Sequence, residues 1–295
     1  MKSLLKWLLK IGLIALAFYL VFKKVSWESI KETLQQFSLW WLIPAFILYN
    51  LSQFLSAYRL LQLFRSVGVN IPYVRNLQLY YKSMFYGLFL PGGVSGDAYK
   101  VIYLQKRSEA SYKTLITATL LDRVNGLTTL LSIAALLLIQ RLDVLQEYVP
   151  VKVWWIIILL IIGWLVYFLL HRKLFPAFNG VLFKITAFSW VIQCLQLLSF
   201  FCLLKGFAIV AEQWISYGIL FYGGSVMSAL PLSINGLGIR EWVLVTGSGL
   251  MMIDSAKAFS ASFLFTLISG VCALIGGIIQ IRSQVAGREV ANNSQ

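Results

Sequence analysis

The chain has 295 residues, 59% of them hydrophobic and 12% charged, and a formal net charge of +14. That balance excludes a soluble domain and places the chain among polytopic membrane proteins. The positive charge is not accompanied by a polar basic domain, which excludes nucleic-acid binding; the excess Lys and Arg reports orientation and contact with anionic headgroups. Cys194, Cys202 and Cys272 lie in apolar runs without metal-ligand or disulfide spacing, and His171 is the single histidine, so the sequence predicts no metal and no cofactor.

A membrane span needs about 20 mostly apolar residues. In chain order the first is 4–22, preceded and flanked by Lys2, Lys6 and Lys10. A signal-peptide cleavage site near Ala15-Leu16-Ala17 should end the apolar run, yet Phe18-Tyr19-Leu20-Val21-Phe22 continues it. The run is therefore read as an uncleaved span, with Lys6 and Lys10 snorkelling to the cytoplasmic surface. Five further spans follow at 39–63, 115–139, 153–170, 185–204 and 258–281.

Two stretches behave differently. Residues 77–90 make a helix only about 21 Å long. They meet Pro91-Gly92-Gly93-Val94-Ser95-Gly96-Asp97 and resume at 98–104. Residues 214–230 carry Gly218, Gly223 and Gly224, break at Pro231 and resume at 242–252. Each is read as a re-entrant pair of half-helices, because non-helical backbone at membrane depth is tolerated only inside protein or along a cavity. The length of 214–230 also fits an eight-span count. The expected fold is thus an all-α polytopic membrane protein with about six spanning helices and two re-entrant broken-helix elements.

With the N-terminus in the cytoplasm, fifteen Lys and Arg residues fall inside and seven outside, Arg59 and Lys100 being counted inside. This is the sense of the positive-inside bias. The same topology makes unit 185–281 an inverted copy of unit 39–139, an arrangement found in transporters. Residues 1–281 form one membrane domain, and 282–295 a short polar tail that is cytoplasmic, like the N-terminus. Trp7, Trp27, Trp40, Trp41, Trp154, Trp155 and Trp214 fall near the expected interfaces as bilayer anchors. A homo-oligomer is compatible with the sequence.

Asp97, Asp122, Arg123, Arg240 and Glu241 lie inside or at the edge of apolar sequence. At the bilayer centre each costs about 2.5–3.5 kcal/mol, so each needs a partner or a wet cavity. One reading is a structural ion-pair network. The other starts from the breaks, where each new half-helix presents unpaired N–H groups and a positive dipole end. Gly92, Gly93 and Gly96, and likewise Gly236 and Gly238, let backbone approach a ligand, and Ser95, Ser233 and Asn235 add small polar groups. Such ends suit a phosphate. Asp97 stands where an N-cap would be, and Lys100 can share its face. Arg240 can hold a phosphate bidentately, oriented by Glu241 or an Asp. Asp122 and Arg123 point about 100° apart and need separate partners, Asp122 toward Arg240 and Arg123 toward a headgroup or Asp97.

The motifs resemble the flippase-like membrane domain of the lysylphosphatidylglycerol synthase family, which includes the multiple peptide resistance factor of bacteria. That pattern runs Pro-Gly-Gly-x-x-Gly-Asp-x-x-Arg, then Asp-Arg, then Pro-x-Ser-x-x-Gly-x-Gly-x-Arg-Glu. Here it falls on Pro91 to Lys100, on Asp122-Arg123 and on Pro231 to Glu241, nearly the whole chain. Lys100 replaces the usual Arg, keeping the charge without the planar fork. The soluble aminoacyl-transfer domain of full-length synthases is absent, so lysyltransferase activity is not expected. The resemblance implies translocation of an anionic phospholipid, or of a lipid-linked or other amphipathic anion, across a bacterial or archaeal plasma membrane. Two alternatives stay open. Gly93-Val94-Ser95-Gly96 matches the Gly-x-Ser-Gly of intramembrane serine proteases, which require a histidine base. A scaffold or channel without turnover would also fit the apolar spans.

Overall fold

The computed structural model describes residues 2–89, 95–146, 152–229 and 236–292, with side chains described over 11–281 except at Leu13 and Leu145. Among the described residues there are twelve α-helices and no strand. In chain order they are α1 (Lys2–Phe22), α2 (Trp27–Gln35), α3 (Leu42–Ser66), α4 (Tyr73–Phe89), α5 (Ser95–Gln105) and α6 (Tyr112–Ile139). Then come α7 (Leu142–Gln146), α8 (Val153–Leu174), α9 (Leu182–Gly206), α10 (Trp214–Ala229), α11 (Ile239–Ser248) and α12 (Ser255–Asn292). Among the described residues five segments are long and apolar enough to cross a membrane: Leu39–Ser66, Tyr112–Ile139, Val153–Leu174, Pro176–Gly206 and Ser255–Ile281. They coincide with five of the six expected spans, and the remaining one, 4–22, is the 21-residue α1. The chain is a multi-pass, all-α membrane protein. In hydrocarbon a helix is the element that satisfies its own backbone, so long apolar runs leave little other choice.

The most extensive helix pair is α3 with α9, at the centre. Its seam is small and polar rather than greasy. Ser199 Oγ donates to the Ala45 carbonyl at 2.7 Å, and Ser189, Ser52 and Ser56 are buried along it. Small hydroxyl residues let membrane helices approach closely and bond across the gap. By contrast α8 fully buries only His171, and it meets the bundle along one half-buried edge at Trp164, Tyr167 and Phe168 while its remaining faces are exposed.

Two helix returns flank this centre. As α5 advances, its partners on α4 recede: Ser95 Oγ reaches the Tyr86 carbonyl at 3.4 Å, Gly96 abuts Ser83, and Lys100 lies over the Tyr80 ring. Helices α10 and α11 do the same, with Gly236 against Ser228, Gly224 against Arg240 and Gly247 against Leu220. As described, α5 and α11 hold 11 and 10 residues. At 1.5 Å per residue that is about 16 and 15 Å, half a hydrocarbon core of about 30 Å. Each return then leans on the opposite half of the chain, α4 on α12 and α10 on α6.

Three further features complete the fold. The connection 23–38 holds the helix α2, capped by Ser26 Oγ accepting from Ser29 N at 3.2 Å; its Ile30 packs with Val25, Ala256 and Phe259. The backbone of α12 stays helical to Asn292, past the end of the apolar run at residue 281. Cys194 is exposed, whereas Cys272 is buried.

The contact of α4 with α12 depends on Gly276. A Cβ there would lie 1.9 Å from the Tyr81 carbonyl oxygen, while one at Gly270 would meet nothing within 4 Å. Gly276→Ala should therefore force α12 off α4 and destabilise the protein by about 1–3 kcal/mol. Thermal unfolding in detergent should show a lowered midpoint for Gly276→Ala and none for Gly270→Ala.

Candidate functional site

The first return gathers one acid and two cations. Asp97 lies in the first turn of α5, and its carboxylate pairs with one cation of its own helix and one of α6. Oδ1 accepts from Lys100 Nζ at 2.8 Å, and Oδ2 accepts from Arg123 Nε on α6. The Lys100 side chain is buried, with its ammonium 4.8 Å from the centre of the Tyr80 ring, whereas Arg123 is 43% exposed. The trio carries one surplus positive charge. Arg123 thus takes the second of its two expected partners.

Asp122 does not reach Arg240. Both of its oxygens are held by Arg59 of α3, Oδ1 by Nε at 2.8 Å and Oδ2 by Nη2 at 3.0 Å. Arg59 Nη1 donates to Ser189 Oγ at 2.7 Å, and that hydroxyl bonds Asn125 Oδ1. Asn125 Nδ2 in turn donates to Tyr167 OH at 2.8 Å and Thr186 Oγ1 at 2.9 Å. The network joins α3, α6, α8 and α9. Gly126, one turn after Asp122, clears space for the guanidinium, since a Cβ there would sit 3.4 Å from Nη1. The physical reason for the correction is packing: α6 lies on α3 and α9, while α11 lies between α10 and α12. Arg59 and Lys100 are therefore interior charges. Moving them out of the cytoplasmic count leaves thirteen against seven, still in the positive-inside sense.

The second return is built around two glycines in the left-handed region, Gly236 at φ 80° and Gly238 at φ 83°, which L side chains adopt only with strain. They turn the chain into α11. Glu241 is fully buried. Its Oε2 accepts from the Gly238 N–H at 2.7 Å, the carboxylate half of a capping box whose other half a glycine cannot supply. Its Oε1 accepts from Ser262 Oγ at 3.0 Å and Thr266 Oγ1 at 2.9 Å, on α12. Glu241 therefore caps and anchors α11, and it meets Arg240 through the shared Thr266 hydroxyl rather than by a direct pair.

Arg240 is left in a different position. Its guanidinium carbon lies 5.1 Å from the Phe265 ring centre and 5.8 Å from that of Phe221. Nη1 stands 3.5 Å from Thr266 Oγ1, and the buried Nε has no hydrogen-bond partner among the described residues. Among the described residues no carboxylate pairs with it. A Cβ on Gly236 would lie 3.4 Å from Nη2, so the guanidinium borders the backbone of the second break. Gly92, Gly93, Ser233 and Asn235, with Pro91 and Pro231, lie outside the described residues.

The serine-protease arrangement is not assembled. His171 is buried between the rings of Tyr167 and Phe175 and makes no hydrogen bond to Ser95. Sequence reasoning missed Arg59, Ser189, Asn125, Ser262 and Thr266 as partners of the interior charges. Ser262 and Thr266 left a legible signal, two hydroxyls one helical turn apart on an apolar span.

Interior charges held on helix returns beside a polar inter-helix seam define a polytopic membrane protein that carries charged groups within its apolar core. The chain belongs to the lysylphosphatidylglycerol synthase TM region family, whose model matches residues 7–277 and so spans both returns. No curated protein matches the chain in sequence.

Breaking the central pair by one partner should leave an unanswered buried charge. Arg59→Ala or Asp122→Asn is expected to cost about 3–5 kcal/mol, while the double change Arg59→Met with Asp122→Leu recovers most of it. Thermal unfolding of the three variants in detergent measures this directly.

Proposed function

We propose that the protein translocates an anionic phospholipid, or a lipid-linked or other amphipathic anion, across a bacterial or archaeal plasma membrane. The observation that carries this reading is Arg240. An arginine with a buried, unbonded Nε and no carboxylate partner among the described residues is costly in an apolar interior, by about 1–3 kcal/mol for the unmet donor alone. A headgroup phosphate supplies what is missing, since the guanidinium fork matches phosphate oxygens. Glu241, adjacent in sequence, is engaged at both oxygens by Gly238, Ser262 and Thr266 and forms no direct pair with Arg240.

The surroundings support the same reading. The Asp97, Lys100 and Arg123 trio is a second cationic site at the first return, with Ser95 and Gly96 at the head of the same half-helix. Asp122 acts in this scheme through Arg59, by holding α6 to α3, rather than by touching a ligand. The exchange of partners between halves, α4 with α12 and α10 with α6, supports an inverted repeat of units 39–139 and 185–281. Short antiparallel returns fit re-entrant half-helices entering from opposite faces, within one membrane domain over 1–281 whose termini face the cytoplasm. The family's membrane region bears the name of a lipid synthase, consistent with a lipid as the ligand.

In proteoliposomes, Arg240→Ala should slow translocation of a headgroup-labelled phosphatidylglycerol by tenfold or more, about 1.4 kcal/mol. Arg240→Lys should keep part of the rate, having charge without the fork. Unchanged translocation by an Arg240→Ala protein of normal elution and stability would remove Arg240 from the substrate path.

A further inference from the structure

A groove of about 390 Å³ runs between α5 and α6. Its polar end is the Asp97–Arg123 pair, and its walls include Val101, Ile102, Ile116 and Leu120. Ile102, Ile116 and Leu120 are exposed large hydrophobics, so the groove opens on the lipid-facing side. Its volume lies within the range of small-molecule sites. A second groove of about 410 Å³, between α3 and α12, is lined by Leu42, Phe46, Leu264 and Val271 and has no charged lining residue. The two grooves match in size and differ in polarity, the first alone having the charged pair with Tyr112 and Thr119 in its lining.

We infer that the α5–α6 groove is a lateral entry site that holds one acyl chain of a phospholipid, with the lipid phosphate against Arg123. Three observations converge on this occupant. The apolar walls accept a chain and open on the bilayer. The charged pair sits at one end only, as a headgroup sits at one end of its chain. The trio of Asp97, Lys100 and Arg123 carries a surplus positive charge, and Arg123 is the member exposed at the groove. Oxygen ligands of a phosphate suit an arginine. The α3–α12 groove offers a chain the same volume and no headgroup contact, so it takes lipid without choosing among headgroups. The inference rests on reading the protein as a lipid translocator and adds the place and chemistry of lipid capture.

The test is photolabelling of the purified full chain in phosphatidylcholine vesicles doped with a phosphatidylglycerol carrying a diazirine on one acyl chain. A diacylglycerol with the same chains serves in parallel. Labelling at Ile102, Ile116 and Leu120 is expected to exceed that by diacylglycerol about tenfold, the value of one charge-assisted contact. The α3–α12 groove should be labelled equally by both. Arg123→Gln should erase the difference. Leu120→Trp, at an exposed position where bulk does not enter the core, should block labelling and slow translocation. Equal labelling of the α5–α6 groove by both lipids overturns the inference, as does full labelling of Leu120→Trp. If labelling is headgroup-blind while wild-type protein still translocates lipid, the entry site alone falls. If labelling is headgroup-dependent but no lipid is moved, the transport reading falls and the site stands.

Discussion

A charge carried into hydrocarbon has to be answered from within the protein, and the answer at the centre of this fold is the two-pronged bond of Arg59 to Asp122. Both carboxylate oxygens and three guanidinium nitrogens are used within it and its Ser189 contact. One arginine thereby fixes α3 against α6 and α9 at once. The polar seam of α3 and α9 can be small and closely packed because its strongest charges are neutralised locally. The two helix returns are then arranged around that fixed centre, each resting on a helix of the other half.

The returns treat their acids in opposite ways. At α5 the carboxylate of Asp97 spends itself on two cations and tempers them without cancelling them. At α11 the carboxylate of Glu241 spends itself on a backbone N–H and two hydroxyls, donors that carry no net charge. The first arrangement leaves a cationic cluster open to the side, and the second leaves a lone arginine enclosed between aromatic rings. Sequence adjacency misleads here: Arg240 and Glu241 are neighbours in the chain, and successive residues on a helix point about 100° apart.

The spans were legible because their signal is additive: twenty apolar residues in a row have few alternatives in a bilayer. The returns were legible from glycine and proline placed where apolar sequence should continue. The pairing of Arg123 with Asp97 was anticipated because both lie at the edge of apolar runs with few other partners. Arg59 escaped because it stands near the end of a span, where an arginine reads equally well as a snorkelling surface residue. Its partner lies 63 residues away, beyond the reach of any local periodicity. Glu241 was correctly placed in the interior, but its donors come from α12 and only the packing of α11 on that helix selects them. The amphipathic α2 was missed because its pattern is short and its buried face amounts to little more than Ile30.

The distribution of net charge among these groups has a consequence for work done against an electric field. The Arg59–Asp122 pair is neutral as a unit, so displacing it along the membrane normal couples weakly to the transmembrane voltage. Arg240 lacks a neutralising partner among the described residues, and Glu241 shares its helix, so α11 moves as a bound dipole unless an anion joins it. The α5 trio shares its surplus with α6 and cannot shift that charge without dragging Arg123. A full elementary charge crossing 100 mV exchanges about 2.3 kcal/mol with the field. Binding a monovalent anion therefore acts in opposite senses at the two returns: it neutralises the α5 trio, which then hardly feels the field, and it gives the Arg240 and Glu241 dipole of α11 a net negative charge that does.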